Sequence, residues 1–243
     1  MRHRPLHIGN NRRLSAPIFI LVAAVAITVA PTAAESPEGT DSTGISNSPA
    51  LNQYRALRRM HAATGKLNHE GWMEAWTELE GNTFRYEIVS ERGSETIRKK
   101  VLRALLERER ELYASGEPGR SELTSENYEF APETTGPGCK YVLLKPKRKD
   151  SLLVEGRMVL SEDGRDLLRV EGKLSKNPSF WTSLVNVVRR YARLEGVRVP
   201  IATESTAKVK FVGDSKLHVE YEYETINGRP VSLQARRLVA QRN

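Results

Sequence analysis

The chain has 243 residues, 38 Lys and Arg against 30 Asp and Glu, a formal charge of +8 and one cysteine, Cys139. A single cysteine excludes an intramolecular disulfide, so the fold must rely on its core. The basic surplus first suggests a nucleic-acid partner, but its placement along the chain argues against one.

Arg2, Arg4, Arg12 and Arg13 form a basic lead with no acidic residue, followed by the uncharged run "APIFILVAAVAITVA" (residues 16–30) and the small residues Thr32 and Ala34. That order predicts a secretory signal peptide over residues 1–34, cleaved after Ala34. The apolar run is shorter than the roughly 20 residues that span a bilayer; an uncleaved anchor is the alternative. No cysteine lies near the site, which excludes lipid attachment there. Removing the lead leaves 34 basic and 30 acidic residues, an ordinary +4, so the charge is poor evidence for nucleic-acid binding. The expected location is the periplasm, with full secretion left open, and no stable transmembrane segment after cleavage.

Residues 35–48, "ESPEGTDSTGISNS", hold little to bury and read as a flexible linker. Residues 49–243 are then expected to form a single domain. Ser48 and Pro49 suit a helix start, Leu51, Tyr54, Leu57, Met60 and His61 recur near helical spacing, and Gly65 suits its end. In that reading Arg55, Arg58 and Arg59 lie on a solvated face.

The period then changes. Trp72, Glu74, Trp76 and Glu78 alternate with Met73, Ala75, Thr77 and Leu79, and after "EGN" Phe84, Tyr86 and Ile88 alternate with Arg85 and Glu87, which predicts a β-hairpin. The side it buries is not legible. From Ser94, Ile97, Val101, Leu105 and Leu112, widened by Leu102, Leu106 and Tyr113, predict a long helix closed by Gly116 and Pro118. Residues 117–138 are polar and lead into a strand. From Cys139 onward "KYVLL", "SLLVEGRMVL", "RDLLRVEGKL", "VRVPIATESTAKVKF" and "KLHVEYEYE", separated by Gly-containing turns, predict an antiparallel meander. "PSFWTSLVNVVRRYARLEG" (residues 178–196) fits a helix by spacing, but its β-branched residues and neighbouring two-residue periods favour a strand preceded by Pro178.

Beyond His61, His69 and His218 the chain after residue 34 has no histidine, and these lack metal-ligand spacing. There is no G-x-S-x-G elbow and no G-x-x-x-x-G-K loop. No catalytic residue, metal site or cofactor is expected, and the chain is read as not an enzyme.

The layout of signal peptide, helix, aromatic hairpin, second helix and β-meander, with "GWMEAWTEL", "SFWTSLVNVVRRYARLEGVRVP" and "LHVEYEYETINGRP", resembles the periplasmic outer-membrane lipoprotein carrier (LolA-like) superfamily over roughly residues 50–231. The resemblance implies an α+β fold: a curved antiparallel β-sheet, a half-barrel, with helices covering its concave side. It implies a non-catalytic carrier or binding protein for acyl chains, lipid or lipoprotein. An envelope protein-interaction or sensing module on the same fold is the alternative. The arginine–proline pair of the well-studied carriers has no counterpart in the first half here, and Arg229–Pro230 does not correspond, so no functional arginine is carried over. Phe84, Tyr86, Phe180, Trp181 and Tyr191 are the candidate cavity aromatics. Arg189 and Arg190, adjacent on a strand, must face opposite sides.

Overall fold

The computed structural model describes residues 48–66 and 68–236. The expected signal peptide, its cleavage site and nearly all of the linker lie outside the described residues. The strands are β1 (Gln53–Thr64), β2 (His69–Glu80), β3 (Thr83–Gly93), β4 (Tyr128–Gly136), β5 (Cys139–Pro146), β6 (Val154–Ser161), β7 (Leu167–Leu174), β8 (Thr182–Leu194), β9 (Val197–Val209), β10 (Gly213–Ile226) and β11 (Arg229–Pro230). One long helix, α1, occupies residues 95–114; it is α-helical at Glu95–Ile97, π-helical at Arg98–Arg103 and α-helical at Ala104–Ala114. Among the described residues no helix is long and apolar enough to cross a membrane.

The first expected helix is instead strand β1. Tyr54, Ala56, Met60, Ala62 and Thr64 are buried in strict alternation, and Arg58 falls in phase with them. A charged residue inside the apolar stripe hides the two-residue period. Partners on both sides, β2 and β10, satisfy the whole backbone of β1, and that pairing overrides local spacing. Ser48 caps no helix: its hydroxyl accepts from the Arg198 amide (2.8 Å) and donates to the Gly196 carbonyl (3.3 Å), tying the chain start to the β8–β9 turn.

Most remaining expectations for elements hold, but part of the polar segment 117–138 is itself a strand, β4. The hairpin is β2–β3, with Met73, Ala75, Thr77 and Leu79 buried and the Trp72–Glu78 set on the more open face. α1 follows, with Ile97, Val101, Leu102, Leu105, Leu106 and Tyr113 buried. Residues 182–194 are strand β8, but the strand starts at Thr182, so Phe180 and Trp181 sit in the preceding loop.

All eleven strands form one unclosed antiparallel sheet in the order β3-β2-β1-β10-β9-β8-β7-β6-β5-β4, with β11 on β10. Directly paired residues of neighbouring antiparallel strands share a face, so each face can be followed across the sheet. Met73, Met60, Val219, Thr203, Arg189, Val170, Met158 and Val142 form one such row. All but Val142 are buried. One residue along, Trp72, His61, His218, Glu204, Val188, Glu171, Arg157 and Leu143 form the row of the opposite, more open face.

β3 and β4 are the two edges of the main sheet, and the link between them is α1 and residues 115–127. Nine gaps of about 4.8 Å would put those edges roughly 43 Å apart if the sheet were flat, whereas a 20-residue helix is about 30 Å long. Curvature shortens the path. The Tyr128 hydroxyl on β4 accepts from the Val154 amide on β6 (3.0 Å). Burial pushes the Tyr128 phenol up to about 12, and Tyr191 and Arg189 on β8 also act on it. The side chain of Tyr128 thus reaches over β5 to the second strand along, as a curved sheet allows. Gly156 and Gly172 are paired across β6 and β7, and a Cβ at Gly156 would lie 2.6 Å from the Gly172 Cα. Only glycines allow that approach.

Candidate functional site: the covered face and the groove beside α1

Two stripes, one on β1 and one on α1, each contain a charge. On β1 it is Arg58; on α1 it is Glu109, four residues after Leu105 and four before Tyr113, hence on the same side. Where helix and sheet meet, the two charges meet. The Arg58 guanidinium grips Glu109 in bidentate fashion (Nη1–Oε2 2.5 Å, Nη2–Oε1 2.9 Å) and donates to the Tyr54 hydroxyl at 2.7 Å. The rings of Tyr221 and Phe84 lie 4.9 and 5.2 Å from it. Arg58 is 2% exposed and Glu109 8%. Burial alone would weaken the charged form of Arg58, but Glu109 and the neighbouring phenols outweigh it and its pKa is raised. Burial drives the Tyr54 and Tyr223 phenols upward, so both stay neutral and act as hydrogen-bond groups.

Further along the same face, Arg189 is 3% exposed and donates from Nε to the Thr203 hydroxyl at 3.1 Å. The Tyr191 phenol is raised by burial and is acted on by Arg189, Arg198 and Tyr221. The hydroxyls of Ser205 and Ser215 are buried with no hydrogen-bond partner among the described residues. The covered face is thus a largely apolar surface with two buried cations on it.

The seven sequence candidates divide by position. Phe84 is buried under α1, its ring stacked on Tyr113 at 5.9 Å. Tyr86 is half-buried and donates its hydroxyl to Glu107 of α1. Arg189 and Tyr191 lie within the covered face. Arg190 faces the other way and pairs with Glu204 at 2.5 Å. Phe180 and Trp181 leave the sheet altogether and occupy the β7–β8 loop. The structure therefore brings Phe84 and Tyr86 together beneath α1 and Arg189 with Tyr191 on β8, and leaves Arg190, Phe180 and Trp181 elsewhere.

Sequence reasoning missed Arg58 and Glu109. The signal was present in both: a lone opposite charge inside each of two apolar stripes. It also missed a groove of about 450 Å³ between α1 and the β5–β6 loop. Leu112 of α1 and Leu152 give it apolar wall; Arg108, Arg120, Lys149 and Lys176 line it together with three carboxylates, Glu111, Glu117 and Asp150, of which the last two pair with Arg120. Asp150 organises the loop: its carboxylate accepts from the Leu152 amide (3.0 Å) and from Arg120 (2.8 Å). Burial alone would raise its pKa, but those two donors outweigh burial and hold it below the ordinary 3.8. No sequence period reports this groove, because it is made by side chains from a helix end and two loops. Among the described residues no group of three or more His, Cys, Asp or Glu could hold a metal ion.

No protein-family model matches the chain, and no curated protein matches it. Among solved structures it is similar to the crystal structure of a DUF1329 family protein from Desulfovibrio piger ATCC 29098. The identity is 10% and the TM-score 0.32, over 70% of this chain and 84% of that one. A likeness that distant carries no argument, so the functional reading rests on the chain's own residues.

Proposed function

We propose that the protein is an exported, non-catalytic carrier or binding protein for acyl chains, of lipid or lipoprotein, in the bacterial envelope. In this reading the curved sheet is a half-barrel whose concave side α1 covers. The supporting observation is the groove beside α1. Its volume lies in the range of small-molecule sites, about 300–1,000 Å³. Leu112 and Leu152 offer apolar wall to a tail, and Arg108 and Lys176 offer cations to an anionic headgroup. Beneath the helix lies the apolar covered face, which a tail could reach if α1 tilted away from β1–β3.

The test is mass spectrometry of organic extracts of the protein taken from producing cells, together with uptake of a fluorescent fatty acid. Bound lipid is expected, and Leu112→Asp with Leu152→Asp is expected to abolish uptake. Absence of both lipid and uptake sinks the carrier reading. One observation favours a second reading, an envelope protein-interaction or sensing module: the covered face is already filled by the chain's own side chains. Recovery of one specific envelope protein with a lipid-free chain would support it.

A further inference from the structure

At one end of the sheet three turns lie side by side. The β9–β10 turn, residues 210–212, accepts and donates backbone hydrogen bonds on both flanks: the Lys210 amide donates to the Trp181 carbonyl (2.8 Å), and the Val212 carbonyl accepts from the Lys66 amide (3.2 Å). These bonds hold the β1–β2 turn, the β9–β10 turn and the β7–β8 loop as one unit.

The unit displays what a soluble surface normally hides. Phe180 and Phe211 are each 80% exposed, and Trp181 and Leu184 are exposed beside them. The rings form a continuous cluster, with Trp181 5.6 Å from Phe180 and 5.8 Å from Phe211. Phe211 also has a φ of +66°, a left-handed backbone that is costly for a bulky residue and natural for Gly or Asn. Phe211 is neither buried nor suited to its turn, so packing and turn formation do not account for it.

Around the rings stand Lys66, Lys208 and Lys210, all exposed. None makes an ion pair among the described residues. Lys210 Nζ lies 4.2 Å from the Phe180 ring centroid, and the Lys66 stem packs where a Cβ at Gly213 would sit. Residues 65–68, 175–181 and 210–212 contain no acidic residue, and Asp214 stands at the start of β10 beside them. Aromatic tips circled by lysines fit the boundary between anionic headgroups and acyl chains: Trp and Phe settle at that depth, and lysines meet the phosphates above it.

We propose that this loop cluster is a docking surface for a membrane leaflet rich in anionic headgroups, with Phe180, Trp181 and Phe211 entering the headgroup boundary. The inference does not depend on the covered face carrying a lipid.

The test uses the full chain with Trp72→Phe and Trp76→Phe, both on the open sheet face, so that Trp181 is the sole tryptophan. Vesicles of phosphatidylethanolamine and phosphatidylglycerol carry bromine on their acyl chains. Trp181 emission is expected to shift to the blue and to be quenched, far less with phosphatidylcholine alone or at high salt. Phe180→Ser with Phe211→Ser is expected to remove the quenching. Lys210→Glu is expected to weaken binding about fivefold or more. An unquenched Trp181 overturns the proposal, even where the chain binds vesicles, since the contact then lies elsewhere, as in residues 16–30. Equal quenching in the double Phe variant overturns it too. So does an oligomer in solution that the same variant dissolves, combined with no vesicle effect, because the patch is then a protein interface.

Discussion

Replacing Glu109 by Ala strips the counter-charge from a guanidinium that water barely reaches. Arg58 would keep the Tyr54 hydroxyl and the two aromatic faces but lose both carboxylate bonds. Breaking a buried pair by removing one partner costs about 3–5 kcal/mol. The Tyr221 and Phe84 ring contacts are present before and after and cancel, so a loss of at least the lower end, about 3 kcal/mol, is expected. With a urea slope of about 2 kcal/mol per M, the unfolding midpoint should fall by roughly 1.5 M. Arg58→Met with Glu109→Leu removes both charges and should lie within about 1 kcal/mol of the parent or above it, because two well-packed apolar residues avoid the desolvation of the pair. Equilibrium urea unfolding followed by far-UV circular dichroism measures the parent, Glu109→Ala, the double variant and its two singles, Arg58→Met and Glu109→Leu. A loss below about 1 kcal/mol for Glu109→Ala, or a double variant no more stable than the sum of its singles, would refute the reasoning, because either result means water reaches the pair.

Two further outcomes follow from the same face and its border. Tyr128→Phe removes the acceptor of the buried Val154 amide and should cost about 1–3 kcal/mol; no loss on thermal unfolding would mean that β4 does not fold back toward β6. Asp150 carries a folded pKa below its ordinary 3.8. Its contribution is therefore complete above the unfolded value and lost as the pH falls through the folded one. Asp150→Asn should lower stability at neutral pH and flatten its fall below about pH 4, read from thermal melts across pH; an unchanged acid slope would contradict the assignment.

How much of this the sequence discloses depends on whether a signal is local. β2 and β3 are legible because each alternation is unbroken over its own residues, and α1 because its apolar residues at helical spacing outnumber the one charge, Glu109, in the stripe. Strand β8 is legible because Val185, Val187 and Val188 agree with the periods of its neighbours. β1 is misread because Arg58 interrupts its stripe, and only the presence of Glu109, 51 residues later, explains why an arginine belongs there. The same non-locality hides the groove, whose walls come from α1, residues 149–152 and Lys176. Arg189 and Arg190 show the limit from the other side: the strand geometry dictates that they diverge, and only the register, Arg189 with Thr203 and Arg190 with Ala202, decides which one is covered.

The pairing of β1 with β10 also governs the order in which the protein can be made. Tyr54 pairs with Ile226, and Thr64 with Ser215. A chain synthesised from its N-terminus holds β1–β3 as an unfinished meander, with one side of β1 open, until nearly all of the remaining strands exist. Contacts that distant are slow to close, and an open strand side is a template for pairing with the wrong chain. Arg55, Arg59 and buried Arg58 all lie along that waiting strand. Glu78 and Glu74 of β2 meet Arg55 and Arg59 early, but the second carboxylates, Glu224 and Glu222, and the partner of Arg58, Glu109, come later; a strand carrying charges on both faces discourages two such strands from joining each other. The charges that obscure β1 in the sequence would thus protect it during its longest exposure.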